Sequence, residues 1–447
     1  MKLKHFILTI GALSSMLGAH AQDTLRYSLE QTLSYGLTHR WDMRNALTQQ
    51  SIASQRYDEV RTRTLPKLDL SADTRYFLQL QRTLLPGEFF TQPGQPTAED
   101  QVIALGAKSN ISGSLTLSQS IFDPLLKPDR EQAALQQSRD AIQTEQVRLE
   151  AAYQITLAYY DVLLQQERVK FAIEALDRAG RLQQVAVVRQ TNGAIRTSEL
   201  DRIKLDVVTA RAALEREQRN LTIRLDALAY QAGLPTDSLV LPATRLSELS
   251  PASGGILLET DPSVLPSFKL EEKQLQINQV AWFREKRTAL PVVSATAFYG
   301  VLHLSNAYNL FSENTWFPYS YVGLQLSLPL YDGGLRKTRT ESARLNMELN
   351  RTNLGQIRSQ FEVQIRERVM ALQTADEALQ TAAEQVKAAQ SLLKEDEVRF
   401  TEGNLIESDL RSTRLSYQEA ENLYLTAVYD YLLALASYQR TAGLLGK

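Results

Sequence analysis

The sequence contains no cysteine and only four histidines, and these absences narrow what the chain can do. Without cysteine, disulfide bonds and thiolate chemistry are excluded, and the composition is compatible with an oxidising exported compartment. His5 and His20 lie in the N-terminal segment that is predicted below to be a cleaved signal. Only His39 and His303 then remain, so a zinc site built from His and Cys is nearly excluded. No Ser-His-Asp set, phosphate-binding loop or pair of catalytic carboxylates stands out. We therefore expect neither an enzyme nor a metal or cofactor site.

Long hydrophobic runs and an excess of positive charge are missing as well. The formal net charge is −2, which argues against nucleic acid as a partner. The longest apolar run, residues 6–17, is shorter than the roughly 20 residues of a spanning helix. Lys2 and Lys4 precede it and Ala19-His20-Ala21 follow, a pattern that predicts a secretory signal over residues 1–21, cleaved before Gln22. Any membrane-spanning part is therefore predicted to be β-structure.

Two stretches of the chain are copies of one another, 210 positions apart. Residues 188–200 read VRQTNGAIRTSEL and residues 398–410 read VRFTEGNLIESDL. The same offset continues without a gap to Ala-Gly-Leu at 232–234 and at 442–444. Each copy places a glycine between two helical patterns, which predicts a tight turn joining two long helices. The sequence thus predicts a duplicated helical hairpin.

Amphipathic strands precede each helical hairpin. Residues 67–76 alternate between apolar and mainly charged side chains, and residues 111–121 alternate between Ile or Leu and hydroxyl side chains. This alternation predicts a β-hairpin with one polar face. Between the two strands, the Gly- and Pro-rich residues 84–99 predict a long surface loop. The second half repeats the plan with an extended segment at 292–304, an aromatic loop and a strand at 322–330. That loop contains Tyr308, Phe311, Trp316 and Phe317, and its Tyr and Trp suit either a membrane-interface girdle or ordinary loop packing.

The remaining segments are helical and carry a repeated domain plan. Apolar residues at heptad-like spacing over 127–190 predict coiled-coil packing along a helix of about 95 Å. Further helices are predicted over 28–63, from about 264 to 290, and over 335–400. Residues 22–234 are predicted as a first repeat with its tip at 188–201, and residues 264–447 as a second with its tip at 398–411. The Pro-, Ser- and Gly-rich residues 235–263 are predicted as the linker.

Four strands per chain are too few to close a barrel by themselves, because about eight is the practical minimum. An open sheet edge is not tolerated in lipid. If the strands lie in a membrane, the chain must therefore pool them with copies of itself. Three copies would supply twelve strands, and the long helices would then extend away from the sheet.

These features together resemble the outer-membrane efflux protein family, the TolC-like channel-tunnels, over essentially all of the chain after the signal. The resemblance rests on the two-fold repeat, the Leu-Pro corners at 65–66 and 290–291, Leu-Tyr-Asp-Gly-Gly at 330–334, and the Arg-x-x-x-Gly turns with their following acids. It implies a mainly α fold with β strands and a homotrimer. The homotrimer would have a twelve-stranded barrel in the outer membrane of a Gram-negative bacterium and a helical barrel through the periplasm.

The resemblance also implies a function without chemistry. The chain would form the passive exit duct of a tripartite efflux system, or of a type I secretion system. It would carry small molecules from an inner-membrane pump of RND or ABC type, joined through a periplasmic adaptor. The residue pattern leaves one alternative, a soluble periplasmic coiled-coil adaptor or scaffold. Adaptors usually carry one helical hairpin flanked by small β-domains, whereas this sequence has two hairpins.

By this resemblance the two turns lie at the periplasmic tip, where family members narrow to a gate and meet the adaptor. Asp409 corresponds to a position whose carboxylates ring the pore, and three such charges near one axis attract cations. Leu405 stands where a gating arginine is often found, and Ser412 where a second acid can occur, so different gate contacts are expected here. The gate candidates are Asp409, Glu199, Arg196, Arg202 and Arg411. The candidates for the turn and for adaptor docking are Arg189, Thr191, Gly193, Arg399, Thr401 and Gly403.

Several of these residues also have an ordinary structural interpretation. Glu199 and Asp409 suit the first turn of a helix, where the helix dipole favours an acid. Gly193 and Gly403 suit the backbone of a chain reversal, with adaptor contact as an added role.

Overall fold

The computed structural model describes residues 25–91, 93–96, 99–234, 240–243, 246, 261–306 and 316–445. The predicted signal and most of the predicted linker lie outside these residues. The helices are α1 Leu29–His39, α2 Trp41–Thr62, α3 Leu126–Thr191, α4 Thr197–Gln231, α5 Pro266–Arg287, α6 Leu335–Thr401 and α7 Glu407–Thr441. The strands are β1 Leu25–Tyr27, β2 Lys67–Tyr76, β3 Arg82–Leu85, β4 Gln101–Ala104, β5 Ser109–Phe122, β6 Val240–Pro242, β7 Val292–Ser305 and β8 Trp316–Ser327. This confirms the predicted mainly α fold with four long strands.

The two-fold repeat is visible in the helices. Helices α4 and α7 each have 35 residues. Their first and last residues correspond at the same 210-position offset as the sequence copies. Helices α3 and α6 have 66 and 67 residues. Each turn therefore follows a very long helix and precedes a shorter one.

The described chain divides into two units. A helical unit is built from the described parts of Met1–Thr48, Ile142–Lys269 and Gln356–Lys447. A sheet unit is built from the described parts of Gln49–Ala141 and Leu270–Gly355. The helical unit holds both turns, and the sheet unit holds all four long strands.

The sheet unit contains an antiparallel four-stranded sheet with the order β2-β5-β7-β8. Leu70 pairs with Leu115, and Ser71 pairs with Ser114, so like residues share a face across the β2–β5 pair. The Ser71 and Ser114 hydroxyl oxygens are 2.9 Å apart on the polar face. On the opposite face apolar side chains are exposed, with 77% of Leu70 and 85% of Val322 accessible. Strands β2 and β8 form the two edges.

Two strand details differ from the sequence prediction. The predicted loop over 84–99 is partly wrong, because β3 pairs with β4 around a short 3-10 helix at Gly87–Phe90. Strand β8 starts at Trp316, earlier than predicted, because Trp316 and Phe317 pair with His303 and Leu302 of β7. A continuous ladder therefore includes aromatic residues that the sequence suggested would lie in a loop.

The predicted helix over 28–63 is broken at Arg40, which has extended backbone angles of φ −61° and ψ 139°. The Arg40 Nη1 donates to the Gln231 side-chain oxygen at 2.6 Å and to its backbone oxygen at 3.3 Å. A Cβ at Gly233 would lie 2.9 Å from the Arg40 Cα, so the break packs closely against the end of α4. The parallel β1–β6 pair was also not predicted, since three residues per strand show no periodicity.

An ion cluster joins the start of α3 to α5 and to the end of α2. The Asp129 carboxylate accepts hydrogen bonds from Arg63 Nη1 and Arg284 Nε, both at 2.6 Å. Burial acts to raise the pKa of Asp129, but the hydrogen bonds from Arg284 and Arg63 hold the pKa below its usual value. The cluster therefore needs the ionised carboxylate to bring two guanidinium groups together.

Replacing Asp129 by Asn should lower the free energy of unfolding by about 2 kcal/mol, because it removes the acid closest to both guanidinium groups and leaves each with one pair at 3.3 Å. The exposed pair of Asp177 and Arg181 supplies a matched control on α3, and Asp177→Asn should cost less than about 1 kcal/mol. Since the Asp129 pKa is depressed, its stabilisation should be complete above the ordinary aspartate pKa and disappear as pH falls through the depressed value. Denaturant unfolding in detergent measures both variants. Equal losses would contradict the structural role of the cluster.

Candidate functional site

Both long helices end in the same hydrogen-bonded reversal. After α3, Ala194 N–H donates to the Arg189 carbonyl at 2.8 Å and Gly193 N–H donates to the Gln190 carbonyl at 2.9 Å. The second turn repeats the two bonds, at 2.8 and 3.1 Å, in the pairs Asn404–Arg399 and Gly403–Phe400. This pair of bonds is the Schellman motif, which satisfies the last free carbonyls of a helix.

The glycines of the two turns are required by backbone conformation. Gly193 has φ +72° and Gly403 has φ +84°, in the left-handed region that side chains with a Cβ avoid. A Cβ at Gly193 would meet nothing within 4 Å, so lack of space is not the reason for glycine there. Thr191 and Thr401 are exposed, and their hydroxyls donate to carbonyls of their own helices. The predicted docking role of these four residues stays a prediction.

Arg189 joins the two turns within the chain. Its Nη1 donates to the Phe400 carbonyl at 2.6 Å, and its guanidinium carbon lies 4.6 Å from the centre of the Phe400 ring. A cation beside the last carbonyls of α6 is also favoured by the helix dipole. The corresponding Arg399 makes only ion pairs of 3.9 Å, to Glu395 and Asp396 on its own helix. The two copies therefore use the same arginine differently.

An apolar cluster lies beneath each turn and accounts for Leu405. In the second turn Leu405 packs against a cluster that includes Phe400 and Leu410. In the first turn Ile195, its counterpart, packs against a cluster that includes Leu200. Leu405 is half-buried, so an arginine at position 405 would replace apolar contacts in this cluster by a longer, charged side chain. Leu405 thus has a packing role, and the predicted gate contacts through other residues stay a prediction.

The predicted gate acids lie in the first turns of the helices that follow. Asp409, in α7, is exposed and accepts a hydrogen bond from the Ser408 hydroxyl at 3.2 Å. Glu199, in α4, is half-buried. Arg196 occupies the N-cap position of α4 without a side-chain cap bond, and both Arg196 and Arg202 are exposed. Within the described part of a single chain, no ion pair joins these acids to these two arginines.

A polar cluster that sequence reasoning mostly missed connects α4 to α7. The Asp206 carboxylate on α4 lies 3.0 Å from Arg414 Nη2 and 3.8 Å from Arg411 Nη2. Buried Glu407 approaches Arg414 at 3.9 Å. Only Arg411 was among the predicted gate residues. Arg411 and Arg414 are three residues apart, so they lie on one face of α7. This spacing can be read from the sequence, but the sequence does not show that Asp206 is their partner.

A second polar cluster lies farther along the same helices. Glu421 is a buried residue, and its carboxylate lies 3.8 Å from Arg178 Nη2 of α3. Burial raises the pKa of Glu421 above its usual value, although the Tyr417 hydroxyl and Arg178 act in the opposite direction. A cavity of about 730 Å³ beside these clusters is lined mainly by α3, α4 and α7. The two hairpins are therefore held by polar contacts around incompletely packed space.

The described residues include no group of three or more His, Asp and Glu placed to hold a metal ion. In the same part of the chain, no helix combines the length and apolar character needed to cross a membrane.

The raised pKa of Glu421 generates a stability prediction. Unfolded chains release this proton near the ordinary glutamate pKa, whereas the folded chain holds it to higher pH, so folding becomes less favourable as pH rises between the two values. Glu421→Gln should therefore raise the free energy of unfolding at pH 8, with a smaller gain near pH 4.5. Exposed Glu419, also on α7, supplies the control Glu419→Gln, which should have little effect at either pH.

Unfolding in detergent at several pH values tests this expectation. A loss of stability for Glu421→Gln at pH 8 would show that the ion pair with Arg178 outweighs the burial cost.

Comparison with known proteins identifies part of the chain by sequence. Residues 279–444 match the family model described as outer membrane efflux protein. This segment contains β7, β8 and the whole second helical hairpin. No curated protein matches the chain.

Solved structures match nearly the whole chain by fold. The Campylobacter jejuni CmeC outer membrane channel superposes with a TM-score of 0.71 at 16% identity, covering 99% of this chain and 93% of that one. The open state of the Neisseria gonorrhoeae MtrE outer membrane channel gives 0.69 at 17% identity, covering 94% and 90%. The Vibrio cholerae outer membrane protein VceC gives 0.67 at 15% identity, covering 93% and 96%. Residues 279–444 thus match the outer membrane efflux protein family, and the chain has the fold of the TolC-like channel-tunnels.

Proposed function

We propose that this chain is one subunit of a homotrimeric exit duct for small molecules in the outer membrane of a Gram-negative bacterium. The observation that carries the proposal is the open four-stranded sheet with exposed apolar side chains on one face. Both features need to be covered, and a ring of three copies in lipid covers both. The outer membrane channels named above share the fold, and this supports the assignment.

The edges of the sheet support pairing between copies. Strands β2 and β8 each have a sheet neighbour on one side only. Unpaired backbone groups cost several kcal/mol each in a bilayer, so both edges must be paired. In the proposal β2 of each copy pairs with β8 of the next, and three copies close a ring of twelve strands. Twelve strands leave an aqueous lumen, whereas four leave no interior.

The two faces of the sheet suit opposite solvents. Leu68, Leu70, Val322 and Leu324 project from one face, each with most of its side chain accessible in the single chain. In the proposed trimer these side chains contact lipid. The other face of β2 carries Lys67, Asp69, Asp73 and Arg75, paired as Lys67–Asp69 at 3.1 Å and Arg75–Asp73 at 2.8 Å. That face would line the water-filled lumen.

The helical hairpins form the periplasmic part in this proposal. Residues 22–234 and 264–447 act as two equivalent halves joined by residues 235–263, after removal of the signal at 1–21. Three copies then bring six turns to one end of the duct. The exposed turn residues Arg399, Thr191, Gly193, Thr401 and Gly403 are proposed to meet a periplasmic adaptor, which connects the duct to an inner-membrane pump of RND or ABC type. The pump supplies the energy, and the duct stays passive.

The proposed gate lies where α7 meets α4. Asp409 is placed in an exposed first turn, so three copies can present three carboxylates near one axis. Asp206 holds α7 against α4 through Arg414 and Arg411, a contact that must break or move if α7 swings outward. The Asp206–Arg414 contact is 3.0 Å long and partly buried, whereas the contact to half-exposed Arg411 is 3.8 Å long, so the contact to Arg411 is the weaker of the two.

Cell fractionation and gel electrophoresis test the assembly. The protein should appear in the outer-membrane fraction and migrate as a trimer in detergent that dissociates to monomers on heating. Trimers reconstituted in planar bilayers should conduct ions. A soluble monomer in the periplasm would instead support the adaptor or scaffold interpretation and contradict the duct.

The carboxylate ring makes a narrower prediction. Asp409→Ala should raise single-channel conductance and reduce the cation-to-anion permeability ratio, each by about twofold, because a ring of charges sets selectivity at a constriction. Exposed Asp430, on the same helix but far from the turn, supplies the control Asp430→Ala, which should leave both quantities unchanged. Unchanged currents for Asp409→Ala would limit Asp409 to a favourable interaction with the α7 dipole.

A further inference from the structure

We propose that Arg399 of one chain donates a hydrogen bond to the backbone carbonyl of Gln190 in a neighbouring copy, and so links the turns of adjacent subunits. The proposal rests on the proposed trimer. It follows from applying the contact seen within one chain to the boundary between two chains.

The template is the bond that Arg189 makes to the second turn of its own chain. The guanidinium donates to the Phe400 carbonyl at 2.6 Å and covers the Phe400 ring, which is 1% exposed. The same carbonyl also accepts the Gly403 N–H at 3.1 Å, which leaves one lone pair for the arginine. One arginine thus caps the C-terminal end of the facing hairpin's long helix.

The two-fold repeat places corresponding residues at the boundary between neighbouring chains. At the 210-position offset, Arg189 corresponds to Arg399, and Phe400 corresponds to Gln190. In a ring of three chains, six hairpins alternate, so each second hairpin faces the first hairpin of its own chain and that of a neighbour. The Gln190 carbonyl accepts the Gly193 N–H at 2.9 Å, as the Phe400 carbonyl accepts Gly403, and has the same second lone pair.

Arg399 has the properties of a donor whose partner is outside the chain. Its side chain is 53% exposed, and its contacts to Glu395 and Asp396 are both 3.9 Å, beyond hydrogen-bonding distance. A charge-assisted bond to a carbonyl at a helix end is stronger than such exposed pairs. If the Arg399 side chain rotates toward a neighbouring turn, it therefore loses only these two weak ion pairs.

The other polar contacts between hairpins do not transfer. The Asp206–Arg414 pair corresponds to Ser416 and Lys204, and the Glu421–Arg178 pair corresponds to Arg211 and Ala388. Neither corresponding pair can form a salt bridge. Gln190 also lacks the aromatic ring that Arg189 covers on Phe400. These salt bridges are thus absent from the proposed boundary between chains, and Arg399 is the contact arginine that the repeat retains there.

Cross-linking distinguishes the two boundaries because the natural chain has no cysteine. The variant Arg399→Cys/Thr191→Cys places thiols on either side of the proposed contact. The matched variant Arg189→Cys/Thr401→Cys places them at the corresponding positions within a chain. With a short bismaleimide on outer membranes, the first variant should give covalent dimers and trimers. The second should give a linked peptide pair within the monomer band, identified by mass spectrometry.

Conductance measurements test whether Arg399 itself links the two turns, since cross-linking shows only that the turns are close. Arg399→Ala should raise single-channel conductance by about twofold, because the boundary that it links opens more readily. The conductance of Arg399→Lys should lie between those of the wild type and Arg399→Ala. As a control, Arg351→Ala, which replaces an exposed arginine on the same helix, should have the wild-type conductance. Monomer-only cross-linking of the Arg399→Cys/Thr191→Cys variant in heat-dissociable trimers, or unchanged conductance of Arg399→Ala, would overturn the proposal. Absence of the trimer itself would instead overturn the duct.

Discussion

The proposed assembly depends on one constraint, which is that the unpaired backbone groups along the edges of the four-stranded sheet need hydrogen-bonding partners. In the described part of the chain, strands β2 and β8 each have a hydrogen-bonded neighbour on one side, and the sheet's apolar face is accessible. In the proposed trimer, pairing these edges between copies satisfies the backbone, and lipid covers the apolar face. In the same proposal, three copies of each helical hairpin are placed around one axis.

The turns combine backbone and apolar contacts within each hairpin with polar contacts between the hairpins. The Schellman reversals and the apolar clusters beneath them fix each hairpin tip, while polar contacts hold one hairpin to the other. Asp206, Arg414, Glu421 and Arg178 lie around a cavity of about 730 Å³. Although α7 also carries buried apolar residues such as Leu425 and Tyr431, this part of the boundary between the hairpins is incompletely packed. The repeat also predicts that the boundaries within and between chains differ in strength, because most of the charges are not duplicated.

Periodicity was sufficient to predict most of the architecture from sequence. The alternation in β2 and β5, the heptads of α3 and the glycines of the turns are local signals, and the 210-position offset joins them into a repeat. The break at Arg40 was missed because it depends on Gln231 and Gly233, far away along the chain. Asp206 was missed for the same reason, since its partners lie on the other hairpin. Leu405 was noted for the arginine it replaces, but its packing against Phe400 and Leu410 becomes visible only in the structure.

The central claim is that β2 of each copy pairs with β8 of the next. A cryo-electron microscopy structure of the protein extracted from outer membranes tests it most directly. The account predicts three chains around one axis, with continuous backbone hydrogen bonds between β2 and β8 at each of the three boundaries. A monomer, or an oligomer in which β2 and β8 remain unpaired, would contradict it.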